Sequence, residues 1–181
     1  MNAREATLPL ADDIRSLRAR TLAELDAAHD YFVFSCMAWE ALSEAVRSGK
    51  TFTFDNPGTG TLVSEAELVA LSVAYRQKNL SSATFQQFVS TFEDFVFDLL
   101  RLWLAAHPRS LSKKQVDIAT VLDAPDKDAI VLSAVDRELN DVKYERLAAW
   151  FAYLDKLVRL DVPTADEIEA LAEVKATRDV L

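Results

Sequence analysis

The sequence predicts an all-α protein: a bundle of about six to seven helices with one small β-hairpin near residues 51–63. Three observations point there. Apolar residues recur at alternating steps of three and four along most of the chain, which is the spacing of one helix face. Turn formers are sparse, with three Gly and five Pro in 181 residues, whereas an all-β fold needs a turn about every 8–12 residues. Half of the residues are hydrophobic, enough to build a sizeable core in one domain spanning residues 1–181.

The first helix is expected to start near Pro9 or Asp12. Its apolar positions run Ile14, Leu17, Thr21, Leu25, Ala28, Phe32, Ser35/Cys36, Trp39, Leu42 and Val46, and Gly49 supplies a stop. Such a helix is roughly 55 Å long at about 1.5 Å per residue, long for a compact domain of this size. Either a break near His29–Asp30 or packing against a second subunit would accommodate it. Two β-prone runs, Thr51–Phe54 and Thr61–Val63, flank Pro57-Gly58 and give the hairpin.

Ser64 with Glu67 forms a capping box that opens a helix to about Lys78, with a break at Asn79-Leu80-Ser81-Ser82. The next helix carries Phe85, Phe88, Val89, Phe92, Phe95, Val96, Leu99, Leu102 and Trp103, with Phe97 beside them, and ends before Pro108. Its density of large apolar groups marks it as the spine of the core. Ser112 with Gln115 caps a shorter helix ending before Ala124-Pro125. Another helix runs from about Asp126 to Val142, and the next carries Tyr144, Leu147, Phe151, Leu154 and Val158. Thr164 with Glu167 caps the last helix.

Several function classes are disfavoured. A net charge of −9 argues against broad, charge-driven nucleic-acid binding but allows a local basic site. Cys36 is alone, so no internal disulfide forms, as in a reducing cytoplasm. The N-terminal residues lack a secretory pattern, and the most apolar window, Phe95–Ala106, holds Asp98 and Arg101 and is too short to cross a bilayer. A cytoplasmic protein without membrane contact is expected. His29 and His107 are far apart, so neither a metal cluster nor a cofactor site is foreseen. Each His has an ordinary structural reading, His107 at a helix C-terminus. Gly58-Thr59-Gly60 does not open a helix as a phosphate loop would. Glu93, Asp94 and Asp98 read as the wet face of the core helix, with the option that one of them partners Arg178. The basic clusters, Arg15, Arg18 and Arg20 with Arg109, Lys113 and Lys114, read as solvated faces.

The last helix carries the sharpest signal. At about 100° per residue with Leu171 at zero, Arg178 falls near −20°, Val174 near −60°, Lys175 near +40° and Ile168 near +60°. Arg178 thus sits within the apolar stripe, where a guanidinium needs an acidic partner or an anionic ligand, or must snorkel out. The helix has no stop signal before Leu181.

The stretch Glu173-Val174-Lys175-Ala176-Thr177-Arg178-Asp179-Val180-Leu181 resembles the final helix of HEPN-superfamily domains, where an Arg, a polar residue and a few apolar residues lead to a His. Thr91–Leu100 with His107-Pro108 and Ser112-Lys113-Lys114, and Tyr144–Phe151 as a penultimate helix, extend the resemblance over roughly residues 85–181. It implies a helical bundle that homodimerises through the motif helices. In many members this forms a metal-independent RNA-cleaving site, while other members are binding or scaffolding modules. The resemblance would make Arg178 the group that stabilises the scissile phosphate, with Asp179 orienting the site. The His would transfer protons. That His would stand about two positions after Leu181, and the 181 residues do not contain it. Two functions follow: a prokaryotic endoribonuclease of the toxin or defence type, inactive in this form, with RNA and an antitoxin or other protein as partners; or a non-catalytic dimerisation or partner-binding module. Outside the family stands a general all-α interaction protein.

Overall fold

The computed structural model describes residues 3–111, 116–158 and 163–180, and within these the side chains of residues 9–178. Among the described residues the regular structure is entirely helical: α1 (Ala3–Arg47), α2 (Glu65–Ala74), α3 (Leu80–Ala106), α4 (Ile118–Asp123), α5 (Lys127–Lys143), α6 (Leu147–Val158) and α7 (Ala165–Val180). The all-α class is as the periodicity indicates.

The hairpin is not. Asp55 and Leu62 form one isolated antiparallel bridge, flanked by hydrogen bonds from Asn56 N–H to the Thr61 carbonyl (2.8 Å) and from Val63 N–H to the Phe54 carbonyl (2.9 Å). Phe54 and Leu62 are 47% and 66% exposed, so the ribbon buries little, and a lone two-stranded ribbon is marginal in water. What remains is a hydrogen-bonded loop.

Other boundaries also shift. Helix α1 begins at Ala3, takes Pro9 inside and runs unbroken past His29–Asp30. Its end is a Schellman cap: Gly49, at φ +84°, donates to the Val46 carbonyl, and Lys50 donates to the Ala45 carbonyl. The break expected at Asn79–Ser82 is absent. Instead α2 passes through a π-helical turn, Tyr75–Asn79, directly into α3. The Ser81 hydroxyl donates to the Arg76 carbonyl there (3.1 Å), so the serine supports the turn instead of ending the helix.

Caps set the other starts. The Ser64 hydroxyl accepts from Glu67 N–H (3.3 Å). The Thr164–Glu167 box is reciprocal: Glu167 accepts from the Thr164 backbone N–H (2.8 Å), and the Thr164 hydroxyl accepts from Glu167 N–H (3.4 Å). The expected Ser112–Gln115 cap lies outside the described residues; α4 starts on Asp117 and α5 on Asp126, each as N-cap.

The chain packs as two compact units, residues 1–22 with 91–180, and residues 23–90. The first has a continuous core of Val96, Leu100 and Leu104 from α3, Val135 and Leu139 from α5, and Leu147, Trp150, Phe151 and Leu154 from α6. Ile168 and Leu171 of α7 pack against it. Leu100, Leu104 and Val135 are fully buried and Trp150 is 1% exposed. Burying each aliphatic side chain contributes about 1.5–3 kcal/mol. Glu138 of α5 is buried at this core and accepts from the Tyr153 hydroxyl (3.0 Å). Burial first, then the bond to Glu138 and its charge, push the Tyr153 phenol well above its usual range, so it stays a donor.

In the second unit the buried set is smaller: Ala28, Val46, Leu68 and Val89, with Ser43 and Ser72 paired through their hydroxyls. Trp39 and Tyr75 meet at 5.1 Å between ring centroids, and Arg76 pairs with Glu40 at 3.6 Å.

Candidate functional site

Two helices of the first unit each carry a charged residue in an apolar stripe. On α3, Glu93 stands in the series Val89, Glu93, Val96, Leu100, whose spacing of four, three and four places it on the buried face. On α7, Arg178 and Lys175 share the inward sector with Leu171 and Ile168. An unpaired charge in such a place costs several kcal/mol. The two helices resolve this against each other. Arg178 Nη1 lies 2.5 Å from Glu93 Oε2, and Lys175 Nζ pairs with Glu93 Oε1.

Of the three acids that the sequence left as possible partners of Arg178, Glu93 takes the role, and with its side chain only 15% exposed it does not stand on the wet face. Asp94 faces solvent as expected. Asp98 pairs with Arg20 at 2.8 Å. The α7 stripe is also rotated from its expected centre, because Val174 is 37% exposed while Lys175 turns inward. Lys175 Nζ sits 5.2 Å from the centre of the Trp150 ring, a cation–π contact with a ring that belongs to the core. Asp179 continues the helix, and its side chain lies outside the described residues.

Lys175 and Trp150 escaped the sequence reading as site residues. The angle of Lys175 on the helical wheel was the available signal; the place of Trp150 follows only from the packing of α6 on α7.

Two cations, Lys175 and Arg178, thus meet the Glu93 carboxylate. Arg178 and Lys175 keep 20% and 27% of their side-chain surface in solvent. An arriving anion can therefore reach the guanidinium without unfolding the helix, at the cost of competing with Glu93.

The other candidates have structural roles. His107 stacks on Trp103, with centroids 4.3 Å apart, and its Nδ1 lies 3.1 Å from the Trp103 carbonyl. His29 is exposed beside Asp30. Arg15 pairs with Asp12 and Arg101 with Asp136. A groove of about 370 Å³ lined by Asp13, Arg20, Asp98 and Arg101 thus alternates in charge and offers no continuous basic track; Lys113 and Lys114 lie outside the described residues. Among the described residues no group of His, Cys, Asp and Glu is placed to hold a metal ion, and no helix is long and apolar enough to cross a membrane. Compared with protein-family models, curated proteins and solved structures, the chain matches none of them.

Proposed function

We propose that this chain is a HEPN-like helical domain in which Arg178 and Lys175 hold an RNA backbone phosphate, as part of a metal-independent endoribonuclease of the toxin or defence type. The supporting observation is the site on α7, where two partly exposed cations, Lys175 and Arg178, both contact the carboxylate of Glu93. Arg178 is also the residue to which the resemblance assigns phosphate stabilisation. In this reading Glu93 is a latch: it holds the guanidinium in place until a phosphate with more acceptor oxygens takes it over. A homodimer with RNA in the composite site, an antitoxin-like protein partner and a cytoplasmic setting complete the proposal.

No histidine follows Arg178 within the 181 residues, so residues 1–181 are expected to bind RNA without cutting it. A second reading, a non-catalytic dimerisation or partner-binding module, is favoured by the same Glu93 contact if the contact is permanent. Binding of single-stranded RNA at low salt separates the two. Arg178→Ala should weaken binding about tenfold and flatten the salt dependence by roughly one unit of slope, while Lys127→Ala, on the exposed start of α5, leaves both unchanged. Equal binding by the Arg178→Ala variant and the parent would favour the non-catalytic module.

A further inference from the structure

Near the charged cluster of α7 the fold leaves one aromatic ring outside. The series Tyr144, Leu147, Phe151, Leu154 and Val158, in steps of three and four, would turn Tyr144 inward with the rest. Instead α6 begins at Leu147, and Tyr144 caps the end of α5 at 90% exposure. In the unit of residues 1–22 with 91–180 it is the one exposed aromatic residue among the described residues. Its mount is a short, hydrogen-bonded turn. Glu145 N–H donates to the Val142 carbonyl (3.0 Å), and Ala149 N–H donates to the Arg146 carbonyl (2.8 Å).

The direction of the helices puts that turn at the same end of the unit as Arg178. Lys175 Nζ lies 5.2 Å from the centre of the Trp150 ring, which sets the level at which α7 meets α6. Helix α6 ends at Val158 and α7 starts at Ala165. At about 1.5 Å per helical residue, a parallel α7 would leave those ends about 27 Å apart along the axis, beyond the roughly 25 Å that seven extended steps can span. Helix α7 therefore runs antiparallel to α6. Arg178, nearly one turn past Lys175, comes level with Leu147, nearly one turn before Trp150. With neighbouring helix axes about 8–10 Å apart, Tyr144 and Arg178 stand about 10–20 Å apart at the backbone, a span that a few nucleotides of extended strand cover.

We propose that Tyr144 is the base-stacking residue of the α7 phosphate site, and that the site therefore takes unpaired RNA, a single strand or a loop. The inference rests on the RNA reading of Arg178 and Lys175 and adds the form of the substrate to it. Every base has a face that stacks on an aromatic ring, so the contact is tolerant of sequence. A tyrosine ring also loses little conformational freedom in making it. Bases of an A-form duplex are stacked inside the helix and do not reach an exposed ring. Charge alone does not make this turn a backbone track. Lys143 and Arg146 flank Tyr144, but Glu145 stands between them and Asp141 precedes them on α5, all four exposed. The ring thus supplies the grip at the turn, while Arg178 and Lys175 take the phosphate.

Fluorescence anisotropy at several low salt concentrations tests this with a labelled single-stranded RNA of about 12 nucleotides and with the same strand in a duplex. Tyr144→Ala should weaken single-strand binding about tenfold and leave the salt slope unchanged, because a stacked base releases no counterion. Tyr144→Phe, which keeps the ring face, should bind within about twofold of the parent. Arg178→Ala is the opposite case, with weaker binding and a flatter slope. The duplex should bind at least about fivefold more weakly than the single strand. At 90% exposure, substitution of Tyr144 should leave the fold intact, which circular dichroism verifies. If Tyr144→Ala binds like the parent while Arg178→Ala binds more weakly, the stacking role is overturned and the phosphate reading stands. Tyr144→Phe as weak as Tyr144→Ala, or duplex held as tightly as single strand, would overturn the stacking role as well. A folded parent that binds no RNA would remove both readings together.

Discussion

In residues 1–22 with 91–180, the most deeply buried side chains are large: Trp150, Leu100, Leu104 and Val135. In residues 23–90 they are Ser43 and Ser72, while Tyr31, Phe34 and Met37 face outward. The first unit is stabilised by its own interior, and its charged cluster is held by helices already fixed by that core. The second closes on small and hydroxyl-bearing residues, which allow near approach of helices but bury little apolar area. Its exposed rings therefore add little to its own stability. The two units differ in where their large apolar side chains go, inward in the first and outward in the second.

The sharpest way to break this comparison is truncation on both sides of it. Trp150→Ala should destabilise by about 3–5 kcal/mol, through lost burial and the cavity left behind, and should also remove the cation–π contact of Lys175. Phe34→Ala, measured at a concentration where the protein is monomeric, should change stability by less than about 0.5 kcal/mol. Urea unfolding reads both, and comparable losses would erase the distinction between the units.

Glu93→Gln comes next. It takes the Glu93 carboxylate from two cations at 20% and 27% exposure, which should cost roughly 2–3 kcal/mol, less than for a fully buried pair because solvent still reaches the cluster. A cost of a few tenths, seen in the same unfolding experiment, would mean that the cluster is an ordinary surface ion pair. In the second unit, Ser43→Ala should cost about 1 kcal/mol by removing the partner of the Ser72 hydroxyl. The Ser72 hydroxyl keeps its bond to the Val69 carbonyl (2.8 Å), which is why the loss stays small. A larger loss would show that this unit relies on its polar contact more than its packing suggests.

The smallest effect concerns pH. The Glu167 carboxylate is held below its ordinary value of 4.5, first by the Thr164 backbone N–H and then by the Thr164 hydroxyl. A lowered folded-state value means that its contribution is present above the ordinary value and is lost as pH falls through the folded one. Fraying at the start of α7, followed by amide exchange at residues 165–168, should therefore increase only on acidification below that range. Unchanged exchange there would mean that the box adds nothing to the helix.

Helices were legible in the sequence because their periodicity is a property of consecutive residues. Thr164 and Glu167 identified the start of α7 for the same reason. The hairpin misled because Thr51–Phe54 has strand-forming residues but no third strand or helix face against which to bury them. Asn79–Ser82 misled because a π-turn has no composition of its own. Of the site, Arg178 was visible as a cation in an apolar stripe and Glu93 as one of three acids that could partner it; the register of Val89, Val96 and Leu100 around Glu93 is what singles it out. That the two charges meet depends on how α7 lies on α3, a contact across 85 residues of sequence that no local pattern encodes.

The central claim is that Glu93 is a latch on an RNA phosphate site, and the sign of one substitution tests it most directly. With folded protein established by circular dichroism, RNA affinity at fixed low salt is compared for the parent and Glu93→Gln. Removing the competing carboxylate takes one negative charge from beside the two cations, so Glu93→Gln is expected to bind RNA about five- to tenfold more tightly, with a steeper salt dependence. Equal or weaker binding by a folded Glu93→Gln variant would contradict it, leaving Arg178, Lys175 and Glu93 as a structural fastening of α7.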